Sequence, residues 1–323
     1  MAGPVQAKPP VLVVLGPTAS GKSLLAMAIA RRLASEIISV DALKVYRHLN
    51  VGTAKPSALE RAEVPHHGLD LIDPNQTFSV AQFLAYAGPL LTQIHGRGRL
   101  PILDVTAPLY LKALMFGIQG GPAPDPELRA RLEATPGDAL YNELRRRDPQ
   151  RARQLHPNDV KRIVRALEHA MLMGRPMSEL SPWAEARDDV QWVLTGIAWP
   201  REVLYRRVIE RVDRMMASGW LEEVRGVRER WGFSRTAAEA HGYKRLLAHL
   251  RGELTLAQAV EMTRKDVKTY ARKSMTFFRQ FPRVQWLQVS SEEEIQRAAL
   301  YLSGEMREAL IGSRVLHQER DPD

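Results

Sequence analysis

One segment near the start of the chain has residues whose types and spacing could hold a phosphate group. Residues 16–23 match the pattern G-x4-G-K-[S/T]. In such a loop, backbone N–H groups wrap a diphosphate, the lysine supplies a cation, and the last hydroxyl can ligate Mg²⁺. We therefore assign diphosphate binding to the whole loop and metal binding to Ser23; the loop consists of Gly16, Pro17, Thr18, Ala19, Ser20, Gly21, Lys22 and Ser23.

The flanking residues predict the elements that would position this loop. Residues 11–15 are apolar and largely β-branched, which is typical of a buried parallel strand, and a helix with Leu25, Ile29 and Leu33 on one face follows. Residues 37–40 and 100–105 predict two more buried strands, the latter after a helix over 80–95. This order indicates an α/β fold, a P-loop NTPase-like parallel sheet flanked by helices.

The composition changes near residue 117, where Gly and Pro are frequent and an Arg-rich helical stretch begins. We therefore predict a P-loop core whose first part is 8–116, an inserted all-helical lobe over 117–200 that contacts a nucleic acid, and a core completion with basic helices over 201–312. A polar tail, 313–323, is expected to be disordered. Thr255 and Gln258 predict a capping box at the start of one basic helix.

The overall composition limits the class of protein. Lys and Arg number 46 against 37 Asp and Glu, a net charge of +9, which suits a polyanionic partner. There is no Cys, so thiolate chemistry and cysteine-bound zinc are excluded, and we expect any metal to be bound by oxygen. No signal peptide or membrane span is evident. We expect a cytoplasmic monomer.

A P-loop indicates a diphosphate without specifying the reaction, and most such proteins use ATP or GTP. Residues 100–104 form an apolar strand that ends in Asp104, the form of a strand whose carboxylate holds a magnesium shell. An ATP-dependent small-molecule kinase is therefore an alternative at this point.

Further ordered motifs carry a family resemblance over roughly residues 10–290. They are Asp41-Ala-Leu-Lys-Val-Tyr-Arg47, Val51-Gly-Thr-Ala-Lys-Pro56, Val64-Pro-His-His67, Leu109-Tyr-Leu-Lys-Ala-Leu114, Arg162-Ile-Val-Arg-Ala-Leu-Glu168 and Gly242-Tyr-Lys244. In type, order and approximate spacing they resemble the tRNA dimethylallyltransferase family.

The resemblance implies a Mg²⁺-assisted transfer of a dimethylallyl group from dimethylallyl diphosphate to N6 of the adenosine 3′-adjacent to the anticodon, with release of diphosphate. Asp41 matches the family's catalytic Asp, and Arg211 matches an Arg near the diphosphate. A tRNA-binding relative with weak catalysis is a further alternative. By position, the predicted contacts with the tRNA anticodon stem-loop are Asp41, Ala42, Leu43, Lys44, Ala107, Arg129, Lys161, Arg162, Arg165, Glu239, His241, Gly242, Tyr243, Lys244, Lys268 and Arg272.

The sequence departs from the family pattern beside the expected reacting groups. Ala42 and Lys44 stand where Ser and Gln are usual, and Asp104 replaces an apolar residue. A Gly-Gly-Thr-Gly turn is here Val-Thr-Ala-Pro over 105–108. Because Val and Pro cannot replace glycine at positive φ, we expect a remodelled loop. Lys44 can only donate hydrogen bonds, unlike a Gln amide, which affects recognition of an adenine edge.

Overall fold

The computed structural model describes residues 8–118, 121–123, 125–180, 183 and 186–318. The chain forms two compact units, one made of Met1–Leu114 with Arg187–Asp323 and the other of Met115–Ala186. The first unit contains the whole sheet.

Six parallel strands form one sheet in the order β3-β2-β4-β1-β5-β6. They are β1 (Pro10–Leu15), β2 (Ser35–Val40), β3 (His66–His67), β4 (Leu100–Val105), β5 (Gln191–Ala198) and β6 (Gln285–Gln288). Every residue of β1, β2 and β4 is buried. The predicted P-loop-type parallel sheet is therefore confirmed, and the carboxyl ends of β1, β2 and β4 lie side by side at one edge.

Four helices accompany the first strands: α1 (Lys22–Ala30), α2 (Ala58–Glu63), α3 (Val80–Gly96) and α4 (Pro108–Phe116). The second unit contains α5 (Pro126–Ala134), α6 (Gly137–Arg147), α7 (Pro149–Gln154) and α8 (Val160–Met173). Leu140, Leu144 and Ile163 lie in its own apolar core. This unit is helical among its described residues.

The chain then returns to the first unit with six more helices. They are α9 (Arg201–Ala217), α10 (Trp220–Arg230), α11 (Arg235–Ala238), α12 (Tyr243–Leu250), α13 (Leu256–Phe278) and α14 (Glu292–Gln318). The predicted capping box of α13 is present, since Thr255 and Gln258 each accept a hydrogen bond from the other's backbone N–H. One core joins α1 and α14 to the sheet, and a second surrounds Trp220 and Tyr243.

The predicted end of the helical insertion was wrong. The helical insertion was expected to run to residue 200, yet β5 lies within that range and pairs with β1 along its length. Trp192, Val193, Thr195 and Ile197 give β5 the β-branched and aromatic content of a strand. The helix α14 is assigned as far as Gln318, and the expected disorder of the tail from residue 313 stays a prediction. Residues 319–323 of that prediction lie outside the described residues. No helix among the described residues is long and apolar enough to cross a membrane.

Candidate active site

The phosphate loop connects β1 to α1, with Gly16, Pro17 and Thr18 directly after the strand. Ala19 and Gly21 both have positive φ, 63° and 87°, which turns successive N–H groups of the loop in the same direction. A Cβ at Gly16 would lie 2.7 Å from Ser20 Oγ, so only glycine fits there. The loop thus has the conformation that an anion-binding turn before a helix requires.

Lys22 and Ser23 open α1 and have different environments. The Lys22 side chain is buried, and this burial lowers its pKa to about 8; the charge of Asp104 opposes the shift, whereas Arg211 and Lys44 add to it. Ser23 is exposed and its hydroxyl donates to Asp104 Oδ2 at 2.8 Å. Lys22 remains mostly protonated at neutral pH, as the predicted cation of the loop must.

Asp41 directly follows β2 at the carboxyl edge of the sheet, where ligands bind in parallel α/β folds. Its Oδ1 accepts the backbone N–H groups of Leu43 and Lys44 at 2.7 and 3.1 Å. These bonds fix the carboxylate in the turn, and Ala42 and Leu43 are half-buried beside it. Asp41 is buried, but its charge acts on both Lys22 and Arg211.

Lys44 and Asp104, two departures from the family pattern, form a buried ion pair. Lys44 Nζ lies 3.2 Å from Asp104 Oδ2, and both side chains are less than a tenth exposed. Burial alone would raise the pKa of Asp104, yet the ammonium groups of Lys44 and Lys22 outweigh it and hold that pKa below its usual value. The Lys44 ammonium group is therefore paired with Asp104, and the predicted contact of Lys44 with tRNA stays a prediction.

The remodelled turn over 105–108 needs no glycine. Thr106 and Ala107 both donate their N–H groups to Val40 O, at 3.0 and 2.9 Å, and α4 begins at Pro108, a position that proline tolerates. No residue of this turn has positive φ. Two hydrogen bonds to β2 thus hold the turn in a conformation that does not require glycine. Ala107 is half-buried at the edge of the site.

Two tyrosines face the same charge. The Tyr270 hydroxyl donates to Thr106 O at 3.2 Å, and burial followed by the negative charge of Asp41 raises the pKa of Tyr270 to about 12. Burial, with smaller contributions from Tyr46 and Asp41, raises the pKa of Tyr110 to about 12 as well. Both phenols are therefore neutral at physiological pH. Neither of them can serve as a base in place of Asp41.

Arg211, on α9, belongs to the same group of charges. Burial lowers its pKa, while Asp41 and Asp104 act in the opposite direction. The structure therefore brings together Lys22, Arg211, Lys44, Asp41 and Asp104, which we call the charged cluster. Arg211, Lys22 and Asp41 had been predicted separately, from different parts of the sequence.

The other predicted tRNA contacts of the first unit include both exposed and buried side chains. Glu239 and Lys244 are exposed and form an ion pair at 2.7 Å, and the exposed His241 lies with its ring centre 4.9 Å from that of Tyr270. The Tyr243 side chain, by contrast, is fully buried and its hydroxyl donates to Glu223 at 2.7 Å, so this side chain is not placed for the predicted contact with tRNA.

Three further positions present backbone or cations in this region. Gly242 has a φ of 83°, and a Cβ there would lie 1.9 Å from the Trp220 ring, so the turn before α12 requires glycine. Lys268 is half-buried and Arg272 exposed on α13, and no ion pair involves either side chain among the described residues. The predicted contacts of these two cations with tRNA stay predictions.

The predicted cations of the second unit are not equivalent. Arg129 and Arg165 both pair with the fully buried carboxylate of Glu168, at 2.8 and 2.7 Å. Lys161 and Arg162 are exposed at the start of α8, and Arg162 lies 3.4 Å from Asp159. Arg129 and Arg165 therefore stabilise the unit itself, whereas Lys161 and Arg162 present charge to solvent.

Sequence reasoning missed two residues that hold the phosphate loop. The Trp199 Nε1–H donates to Ser20 O at 2.8 Å, and the Arg207 Nε–H donates to Ala19 O at 3.0 Å. The Arg207 guanidinium also lies over the Trp199 ring, 4.3 Å from its centre. Trp199 follows β5, so recognising that strand would have placed the indole beside the loop.

Oxygen atoms suited to a hard cation lie at the end of the loop. Asp104 Oδ1 is buried without a hydrogen-bond partner, next to the Ser23 hydroxyl that Oδ2 accepts. Hydroxyl and carboxylate oxygens are the protein ligands that Mg²⁺ prefers. Among the described residues, no group of three or more His, Asp or Glu side chains is placed to hold a metal ion. A cation here would need a ligand from outside the protein as well. The residues present therefore fit a cation shared with a bound phosphate.

A parallel sheet with a phosphate loop at its carboxyl edge defines a P-loop protein that binds a phosphorylated ligand. The model of the IPP transferase family matches residues 44–281, and that of isopentenyl transferases matches 9–65. The chain belongs to the tRNA dimethylallyltransferase family.

Individual relatives agree. The chain is 42% identical to a tRNA dimethylallyltransferase of Syntrophobacter fumaroxidans, over 86% of this chain and 83% of the relative. It is 41% identical to that of Solibacter usitatus, over 90% and 97%. The crystal structure of the Bacillus halodurans tRNA isopentenylpyrophosphate transferase superimposes with a TM-score of 0.68, at 35% identity, covering 96% of this chain and 99% of that one.

Proposed function

We propose that this protein transfers a dimethylallyl group from dimethylallyl diphosphate to N6 of the adenosine 3′-adjacent to the anticodon of tRNA. The observation that carries this assignment is the shared electrostatic environment of Asp41 and Lys22, a carboxylate and a phosphate-loop cation. This shared environment supports a base close to the position where a diphosphate would leave. Family membership supports the same reaction.

In the proposed reaction, the N6 nitrogen attacks the allylic carbon, and the carbon–oxygen bond to diphosphate breaks. The bonding electron pair leaves with the diphosphate, and Asp41 accepts the proton that N6 loses. The amine is a weak base, so removing this proton during attack helps. The turn bonds from Leu43 and Lys44 hold the carboxylate in position for that transfer.

Stabilisation of the leaving diphosphate falls to the loop and the cations. Residues 16 and 18–23 have backbone N–H groups, which Pro17 lacks. These groups, the Lys22 ammonium and Arg211 are donors that need little reorganisation as charge develops. Mg²⁺, when bound, would add a further positive charge at the phosphate oxygens. The Ser23 hydroxyl and Asp104 Oδ1 are the protein oxygens that would hold it.

The tRNA must present a base that is out of its stack, which an anticodon loop does at low cost. Lys161, Arg162, Lys268 and Arg272, with the 239–244 turn, are the proposed contacts for its backbone. These contacts, a monomeric state and a cytoplasmic location remain predictions.

The acceptor position gives a direct test. The purified protein is incubated with dimethylallyl diphosphate, Mg²⁺ and two unmodified tRNA transcripts that differ only in having adenosine or guanosine 3′ of the anticodon. We expect a mass increase of one dimethylallyl group in the adenosine transcript alone. Equal modification of both transcripts would contradict the proposed acceptor.

A further inference from the structure

The charged cluster contains a buried pair, Lys44 with Asp104, that the proposed reaction does not use as base or as phosphate cradle. The two residues come from adjacent strand ends, Asp104 from β4 and Lys44 from the turn after β2. Asp104 lies opposite Ser39 in the strand register. The pairing of β2 with β4 therefore brings the two charges together without any shift of the backbone.

Neither charge is suited to this environment alone. Both side chains are almost completely buried, at 7% and 5% exposed. A buried ion without its partner is strongly unfavourable, because water no longer solvates it. Both positions also depart from the family pattern. The two departures are therefore physically linked, since each supplies the counter-charge for the other.

The pair is also in contact with the phosphate loop. Asp104 Oδ2 accepts from Ser23 Oγ as well as from Lys44 Nζ. Among the charges that act on Lys22, Asp104 has the largest effect on its pKa and Lys44 the third largest. An uncompensated charge at either position would consequently act on any anion bound to the loop.

We infer that Lys44 and Asp104 are positioning residues that act as one neutral pair, which keeps the charged cluster at a net single positive charge for the incoming diphosphate. The cluster holds three cations and two carboxylates. Removing the Lys44 charge would leave it neutral, and removing the Asp104 charge would leave it doubly positive. Removing both restores the original balance. This inference rests on the proposed diphosphate site.

A double-mutant cycle tests the inference with Lys44→Met, Asp104→Asn and the double variant. Binding of inorganic diphosphate is measured by calorimetry with EDTA and again with Mg²⁺, without tRNA. In EDTA we expect Lys44→Met to weaken binding about tenfold, Asp104→Asn to strengthen it about tenfold, and the double variant to return within about threefold of the parent. Asp104→Asn should also lower KM and kcat together, because diphosphate leaves more slowly.

Two controls separate charge balance from packing. Lys44→Arg retains the charge and should bind diphosphate as the parent does. Lys55→Met removes another buried lysine paired with an aspartate, Asp70, and should lower the melting temperature without changing diphosphate affinity. If Lys44→Met fails to fold, the opposite sign expected for Asp104→Asn still decides the matter.

The possible failures are distinguishable. A parent protein that binds no diphosphate would overturn both the inference and the proposed function. Diphosphate binding by the parent, with Asp104→Asn weakening that binding or with additive losses in the double variant, would overturn the inference alone. Because the proposed function gives Asp104 Oδ1 a part in holding Mg²⁺, the measurement in EDTA decides the inference, and weaker diphosphate binding by Asp104→Asn in EDTA would overturn it.

Discussion

The two walls of the site differ in how they are built. The phosphate loop acts through its backbone, with turns at Ala19 and Gly21 and supports from Trp199 and Arg207 on its carbonyl groups. The opposite wall, residues 41–44 and 104–107, acts through side chains and contains the departures from the family pattern. A wall made of backbone is defined by a short motif, whereas a wall made of side chains can be rebuilt if charges and hydrogen bonds remain satisfied.

The largest expected effect comes from the side-chain wall. Asp41→Asn keeps an oxygen that accepts from Leu43 and Lys44 but removes the base. We expect the rate of dimethylallyl transfer to fall by ~10²–10⁴-fold, the usual contribution of a general base. Affinities for diphosphate and tRNA should change only a few-fold, as measured by calorimetry and filter binding. Unchanged turnover would remove Asp41 from its assigned role.

The backbone wall should respond to the loss of a single glycine. At Gly21, φ is 87° and a Cβ would lie 2.6 Å from Ile295 Cδ1. Positive φ costs about 1–2 kcal/mol in a residue with a side chain, so Gly21→Ala should weaken diphosphate binding about tenfold. Gly226→Ala, in α10 with open space around it, is the matched control and should retain affinity. Equal losses in the two variants would show that the loop conformation is not the cause.

The charge of Lys22 gives the site a pH dependence. The pKa of Lys22 is lowered to about 8 in the free protein, so raising the pH from 7 to 9 removes most of its charge. Diphosphate binding without metal should then weaken several-fold, by up to about tenfold per lost charge contact. Lys22→Arg keeps its charge over this range and corrects for titration of the ligand. If binding by the parent and by Lys22→Arg changes in parallel with pH, Lys22 is not the titrating group.

The smallest effects are expected at the basic helix α13. Lys268→Ala removes a cation that has no ion pair within the described part of the chain, whereas Lys265 lies 3.9 Å from Glu261 and serves as the matched control. Affinity for tRNA should fall a few-fold for Lys268→Ala, and the slope of log K against log salt should decrease by about one. Binding of tRNA by the parent should weaken steeply with salt, and a flat response would contradict contact with phosphates.

Backbone motifs and strand periodicity explain what the sequence could predict. The phosphate loop, β1, β2, β4 and Asp41 were placed correctly because their signals lie within a few adjacent residues. The strand β5 was assigned to the helical insertion, although Trp192, Val193, Thr195 and Ile197 carried a strand signal. The Gly- and Pro-rich composition after residue 117 led to a predicted end of the helical insertion that lies too late in the chain.

Pairings between distant side chains could not be predicted in this way. Lys44 and Asp104 are 60 positions apart, so their contact depends on the order of strands in the sheet. The same holds for the burial of Tyr243 and for the engagement of Arg129 and Arg165 by Glu168. Each residue type was correctly identified as charged or polar, but its partner is a property of the folded chain.

Turnover by the unaltered protein tests the central claim most directly. Purified protein and Mg²⁺ are incubated with unmodified tRNA and either dimethylallyl diphosphate or ATP. Modified adenosine is detected by its mass, and the amount of diphosphate or ADP released is measured in parallel. The account predicts prenylated adenosine with equimolar diphosphate from dimethylallyl diphosphate, despite the rebuilt side-chain wall. Absence of transfer, with ADP formed from ATP, would contradict it and assign Asp104 to a kinase site.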